Sequence, residues 1–155
     1  MTELRAFQPN DIDNLLLLFK ETIHQINAVD YSLEQIVAWA PDQPDKDDWI
    51  QRLSDQFTQL AFVDQKLVGF GSLSKKGLID FLYVHHEHQR EGIAQLIYTR
   101  LEFEARQMSL DRLHTEASIT ARKFFEKMQF EIVFPQEKAI RGVILKNYVM
   151  EKFLV

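Results

Sequence analysis

A chain of 155 residues with 46% hydrophobic and 26% charged side chains has the make-up of one globular domain with a sizeable core, so residues 1–155 read as a single domain. Its formal net charge of -5 argues against a general nucleic-acid binder and leaves no polybasic patch for a membrane surface. The absence of cysteine removes disulfides, thiolate metal sites and cysteine nucleophiles together, and fits a reducing cytoplasm.

The opening MTELRAFQPNDID is polar and acidic and reads as no secretory signal, with LRAF (4–7) as a short strand closed by Pro9. Asn10 is a fair N-cap, Asp11 and Asp13 suit a helix N-terminus, and Ile12, Leu15, Leu16, Phe19, Ile23 and Ile26 recur at helical spacing. No apolar run is longer than Leu15 to Phe19, and that is far too short to cross a bilayer. A second helix is predicted over about 32–39, from Ser32 to before Pro41. The acidic PDQPDKDD (41–48) reads as a solvated loop that would steer a cationic substrate, and a third short helix follows around Trp49 to Phe57. QLAFVDQKLVGFGSLS (59–74) gives two strands joined at Asp64-Gln65-Lys66, and LIDFLYV (78–84) a central strand, almost wholly apolar.

From Arg90 to about Met108 a long helix carries Ile93, Leu96, Ile97, Leu101 and Ala105 on one stripe. DRLHTEA (111–117) is a strand, ITARKFFEKM (119–128) a helix, and FEIVF (130–134) and VILKNYVMEKF (143–153) are closing strands. Phe57, Phe62, Phe70, Phe81, Phe103 and Phe130 read mostly as core. Antiparallel strands followed by a strand–helix–strand–helix–strand section suggest an α/β sheet with one parallel crossover in its middle.

Gly92 stands where the polar HHEHQRE becomes the apolar IAQLIY. Glycine costs roughly 1 kcal/mol against alanine inside a helix, so at a first helical turn it marks backbone that something must approach closely. The first amides of a helix lack intrahelical partners and carry the positive end of its dipole. With Arg90 alongside and a small Ala94, the composition reads as a pyrophosphate cradle. Neither G-x-G-x-x-G nor G-x-x-x-x-G-K-S/T is present. His85, His86 and His88 with Glu87 have zinc-type donors, but no helical i, i+4 pair and no cysteine, so they read as an exposed turn and no metal is assigned.

Gln89-Arg90-Glu91-Gly92-Ile93-Ala94 resembles the Gln/Arg-x-x-Gly-x-Gly/Ala loop of the GNAT acetyltransferase superfamily, with the family-like strand IDFLYV before it. ASITARKFFEKMQF (117–130) is similar to the family's A-x-x-F-Y/F-E-K-x-G-F segment, and RGVILKNYVMEK (141–152) follows it. YSLEQIVAWAP (31–41) looks like the substrate-side helix of a bacterial subgroup. The resemblance implies the GNAT fold, a mixed central β-sheet whose parallel fourth and fifth strands splay apart, flanked by helices. It also implies acetyl-CoA as cosubstrate. Leu82, Tyr83 and Val84 would pair with pantetheine. The amides from Gln89 through Arg90, Glu91, Gly92, Ile93 and Ala94 would hold the pyrophosphate, Ser118 would lie near the thioester, Phe124 and Phe125 would line the other side, and Lys127 would approach the adenosine phosphates. Many members carry a tyrosine, the general acid, where Phe125 has no proton to give.

The resemblance implies transfer to a primary amine, of a small molecule or a peptide, by direct attack in a ternary complex, and a homodimer is open because many members dimerise. At pH 7 an alkyl ammonium of pKa about 10.4 needs roughly 4.6 kcal/mol to free its lone pair, so a base matters more than the missing acid. Asp80 is the one ionisable side chain in LIDFLYV apart from Tyr83, and strict alternation sets it with Leu82 and Val84 among apolar neighbours, an environment suited to proton abstraction. Tyr83 on the opposite face and Tyr148 are candidate acids, and Glu116 is a candidate base acting through water. The alternative is a GNAT-like sensor or interaction domain that holds an acyl-CoA without turnover.

Overall fold

The computed structural model describes residues 1–154. In chain order the elements are β1 (Thr2–Ala6), α1 (Ile12–Gln25), α2 (Leu33–Trp39), α3 (Lys46–Ser54), β2 (Phe57–Val63), β3 (Lys66–Leu73), β4 (Leu78–Val84), α4 (Ile93–Gln107), β5 (Arg112–Ser118), α5 (Arg122–Lys127), β6 (Glu131–Ile140) and β7 (Val143–Phe153). The strands form one seven-stranded sheet in the order β1-β2-β3-β4-β5-β7-β6. β4 and β5 run parallel across α4, and the other neighbours are antiparallel, which is the mixed sheet expected from the strand–helix order.

The sheet separates two apolar layers. On one side α4 lays Ile97, Leu101 and Ala105, all with no exposed surface, against Val68, Leu113 and Met150. On the other, α1 contributes Leu15, Phe19 and Ile23 against Leu60, Phe70 and Phe81, with α2 and α3 closing over them. Each such side chain contributes about 1.5–3 kcal/mol when fully withdrawn from water. α4 lies so close to β3 that a Cβ at Gly71 would meet Cγ2 of Ile97 at 2.7 Å.

Several expectations shift. α3 begins at Lys46 rather than Trp49, because the Asp45 carboxylate accepts from the Asp48 amide at 3.1 Å and Asp47 and Asp48 occupy the first turn. The acidic stretch is thus half helix start, not all loop. α5 is shorter than 119–128, since Ile119–Ala121 is spent on a turn in which the Ala121 amide reaches back to Ser118. β6 runs on past FEIVF to Ile140, passing Pro135, which is tolerated because β6 is an edge strand. It returns through Arg141 and Gly142, both at positive φ (48° and 78°), as Asp64 and Gln65 do in the β2–β3 turn. Leu96 and Phe103 are exposed at 40% and 55%, and the buried place on α4 falls to Tyr98. Among the described residues no helix is long and apolar enough to cross a membrane.

Candidate active site

β4 and β5 pair only at Leu78–His114 and Ile79–Thr115, where the Thr115 hydroxyl donates to the Ile79 carbonyl at 2.9 Å. Beyond that point they diverge. The cause lies in β4: Ser72 pairs with Phe81 and Leu73 with Ile79, so Asp80 is an extra, bulged residue. A bulge bends and twists its strand, and here it does so where pairing with β5 ends. β5 stays with β7 as far as Ser118, leaving the β4 edge from Phe81 to Val84 without a strand partner. A cavity of about 210 Å³ fills the gap, running from Gln89 and Ala94 at one end to Trp39 and Asp80 at the other.

The loop above the cavity is held by side chains. Gln89 donates from Nε2 to the Val84 carbonyl at 2.6 Å. His85 is buried, not exposed as the sequence suggested, because Glu21 of α1 comes within 3.1 Å of its Nε2 while Nδ1 accepts from the Glu87 amide at 3.1 Å. Donor atoms of Glu21, His85 and His86 lie within 4.8 Å of one another. An Nδ1 that accepts a backbone N–H leaves the neutral ring's proton on Nε2, pointed at Glu21, so this group is a hydrogen-bonded tie from α1 to the loop.

Gly92 is the N-cap of α4 rather than a residue of its first turn, with φ 81° and ψ 6°, and Arg90 also has positive φ (61°). No atom lies within 4 Å of where a Gly92 Cβ would stand. The glycine therefore serves the left-handed cap and leaves open space in front of the amides of Ile93, Ala94 and Gln95. A free strand edge leading to an exposed helix N-terminus suits a long ligand with amides in its arm and phosphates at its far end.

Comparison with known proteins agrees with this geometry. Residues 27–152 match the family model described as an acetyltransferase (GNAT) domain. The chain belongs to the GNAT acetyltransferase family. It is 32% identical over 148 residues to the uncharacterized N-acetyltransferase YafP of Escherichia coli (strain K12), covering 96% of this chain and 93% of that one. A GCN5-related N-acetyltransferase structure from Rhodopseudomonas palustris superposes with TM-score 0.96 at 33% identity, over 99% of this chain and 96% of that one. PaiA N-acetyltransferase from Thermoplasma acidophilum, solved in complex with coenzyme A, gives TM-score 0.82 at 20% identity, with 99% of both chains covered.

Within the GNAT frame the expected residues divide. Leu82, Tyr83, Val84, Gln89, Ala94, Ser118, Phe124 and Phe125 line the cavity. Arg90, Glu91 and Gly92 are exposed on the loop, Ile93 is turned into the core, and Lys127 is exposed on α5. Of the acid and base candidates, Asp80, Tyr83 and Glu116 border the cavity, while Tyr148 stands outside it beneath the Arg122 guanidinium, 5.4 Å from the ring centre.

Asp80 corrects two expectations. The bulge breaks strict alternation, so Asp80 faces α3 on the side of Phe81 and Tyr83, not with Leu82 and Val84. Its surroundings are not purely apolar either. Arg52 grips it with two bonds of 2.6 and 2.7 Å, Gln56 adds one of 2.8 Å, and the guanidinium lies 4.8 Å above the Phe81 ring. Arg52 is itself held more firmly protonated by its bond to Asp80. Tyr83 packs against Phe19 and Phe70, and burial pushes its phenol well above the ordinary value, so it keeps its proton. Glu116 accepts from Lys138 at 2.9 Å and Gln136 at 2.7 Å.

Sequence reasoning passed over Arg52, Gln56 and Asn27. Each meets a partner 24 or more positions away along the chain (Arg52 and Gln56 at Asp80, Asn27 at Ser118), and no local pattern announces such a pairing.

Proposed function

We propose that this protein binds acetyl-CoA in the β4–β5 cleft and transfers its acetyl group to a primary amine by direct attack in a ternary complex. The observation that carries the reading is the continuity of one cavity from the unpaired β4 edge to the open amides beyond Gly92. Backbone groups of Leu82, Tyr83 and Val84 would pair with the pantetheine arm, and the amides at the start of α4 would hold the pyrophosphate, with Arg90 adding charge. Acetyl-CoA supplies the activated acyl group. The chain supplies position and charge.

The acceptor must arrive as an ammonium and lose a proton. Asp80, at the far end of the cavity, offers a carboxylate whose orientation is fixed by Arg52 and Gln56. Such a fixed anion attracts the ammonium and takes its proton directly or through water. Tyr83 stays protonated and offers a hydrogen-bond donor near the same end. Direct attack is supported by the lack of any cysteine to carry a thioester-type acyl intermediate. The same absence suits work in the cytoplasm.

Gly92→Glu tests the binding half. Calorimetry on the unaltered protein should show coenzyme A binding, and the variant, whose new carboxylate stands where the diphosphate would lie, should lose it while keeping its circular dichroism. Unchanged affinity in the variant would remove the pyrophosphate reading. Thiol release from acetyl-CoA over a panel of amines tests the catalytic half, and binding with no release on any amine would favour a sensor.

A further inference from the structure

Resting on that reading, we infer that Ser118 is the group that meets the departing sulfur, with Asn27 as its positioning residue. A serine hydroxyl has one proton and two acceptor lone pairs. Ser118 Oγ accepts from Asn27 Nδ2 at 3.3 Å and from the Ala121 amide at 3.0 Å. Both lone pairs are engaged, and among the described residues the hydroxyl donates to no protein group. Ser118 lines the cavity, so the remaining direction for the proton is into it. Asn27 is 5% exposed in the turn after α1, which fixes the direction from which it presents its amide.

The register locates this donor. Thr115 pairs with Ile79, and allowing for the extra residue Asp80 in β4, Ser118, three residues further along β5, comes opposite the 82–83 stretch, on the edge assigned to pantetheine. Phe124 and Phe125, the cavity's neighbours from α5, have no proton to offer. In the reaction the amine nitrogen bonds to the acetyl carbon, the carbon–sulfur bond breaks and its electron pair leaves on sulfur. The Ser118 hydroxyl donates a hydrogen bond to that thiolate. It does not give up its proton, since an alcohol is a far weaker acid than a thiol. Two protons leave the nitrogen through Asp80 or water, one from the ammonium before attack and one after the new bond to carbon has formed, and coenzyme A departs as the thiolate.

The bland alternative is that Ser118 only closes the turn into α5. Titrating the thiol of bound coenzyme A, followed by thiolate ultraviolet absorbance, separates the two without any acceptor. The bound thiol should ionise about one pH unit lower on the unaltered protein than on Ser118→Ala, the effect of one hydrogen bond to a charged atom. Ser118→Thr should keep the lower midpoint, and Asn27→Leu should lose part of the shift. Should Ser118→Ala misfold, the unaltered protein answers alone: its preference for coenzyme A over desulfo-coenzyme A should grow about tenfold as pH rises through thiol ionisation. Equal midpoints in the protein and Ser118→Ala, or a pH-independent preference, would overturn the inference and leave the binding site standing. No coenzyme A binding to the unaltered protein would overturn both.

Discussion

Asp80 shows how one inserted residue shapes a site. Without the bulge its carboxylate would point toward α4 with Leu82 and Val84, away from Arg52. With it, Arg52 and Gln56 orient the carboxylate and the strand bends away from β5 at the same residue. The Arg52 guanidinium is half exposed while the Asp80 side chain is 9% exposed, so the pair is a surface cation anchoring a nearly buried anion. Asp80→Asn keeps the shape and one acceptor oxygen but removes the charge. Its kcat for thiol release, with whichever amine supports turnover, should fall about 10²-fold. Coenzyme A affinity by calorimetry should not change, because the place proposed for the phosphates, at the start of α4, is the opposite end of the cavity. A fall in affinity matching the fall in rate would make Asp80 a structural residue instead.

At the scale of elements, α3 offers a separable test. Asp45 is exposed and its carboxylate serves as N-cap, so Asp45→Ala should cost about 1 kcal/mol. That loss should appear as a lower urea midpoint with an unchanged m-value. The same helix shows why part of the fold was legible and part was not. α1, α4, β4 and the β2–β3 hairpin carry strong periods or turns, and a period is local information. Gly92 was legible for a similar reason, as its backbone conformation narrows the choice of residue. Asp45 was read as one more loop acid, because a cap and a solvated carboxylate have the same letter. The burial of His85 was hidden because Glu21, its partner, lies 64 positions away. The bulge at Asp80 was hidden because it changes a strand's facing without changing its composition. Those long-range facts decide the chemistry of the site, whereas the loop and the order of elements decide the family.

The whole molecule must also avoid extending its own sheet. β1 and β6 are the edges, and β6 is ten residues long with Ile132, Val133 and Phe134 exposed in succession. A long apolar edge is a template for pairing with another chain. Pro135 follows those three residues directly, and a proline on an edge strand withholds a donor that an incoming strand would use. Glu131, Glu137 and Lys138 add charge on either side. If this proline guards the edge, Pro135→Val should raise the average mass in sedimentation, increasingly so with protein concentration, relative to the unaltered chain. Coenzyme A affinity per protomer should stay the same, because β7 and β5 stand between β6 and the cleft. An unchanged sedimentation profile would mean that the charges and the twist of the hairpin suffice to keep the edge unpaired.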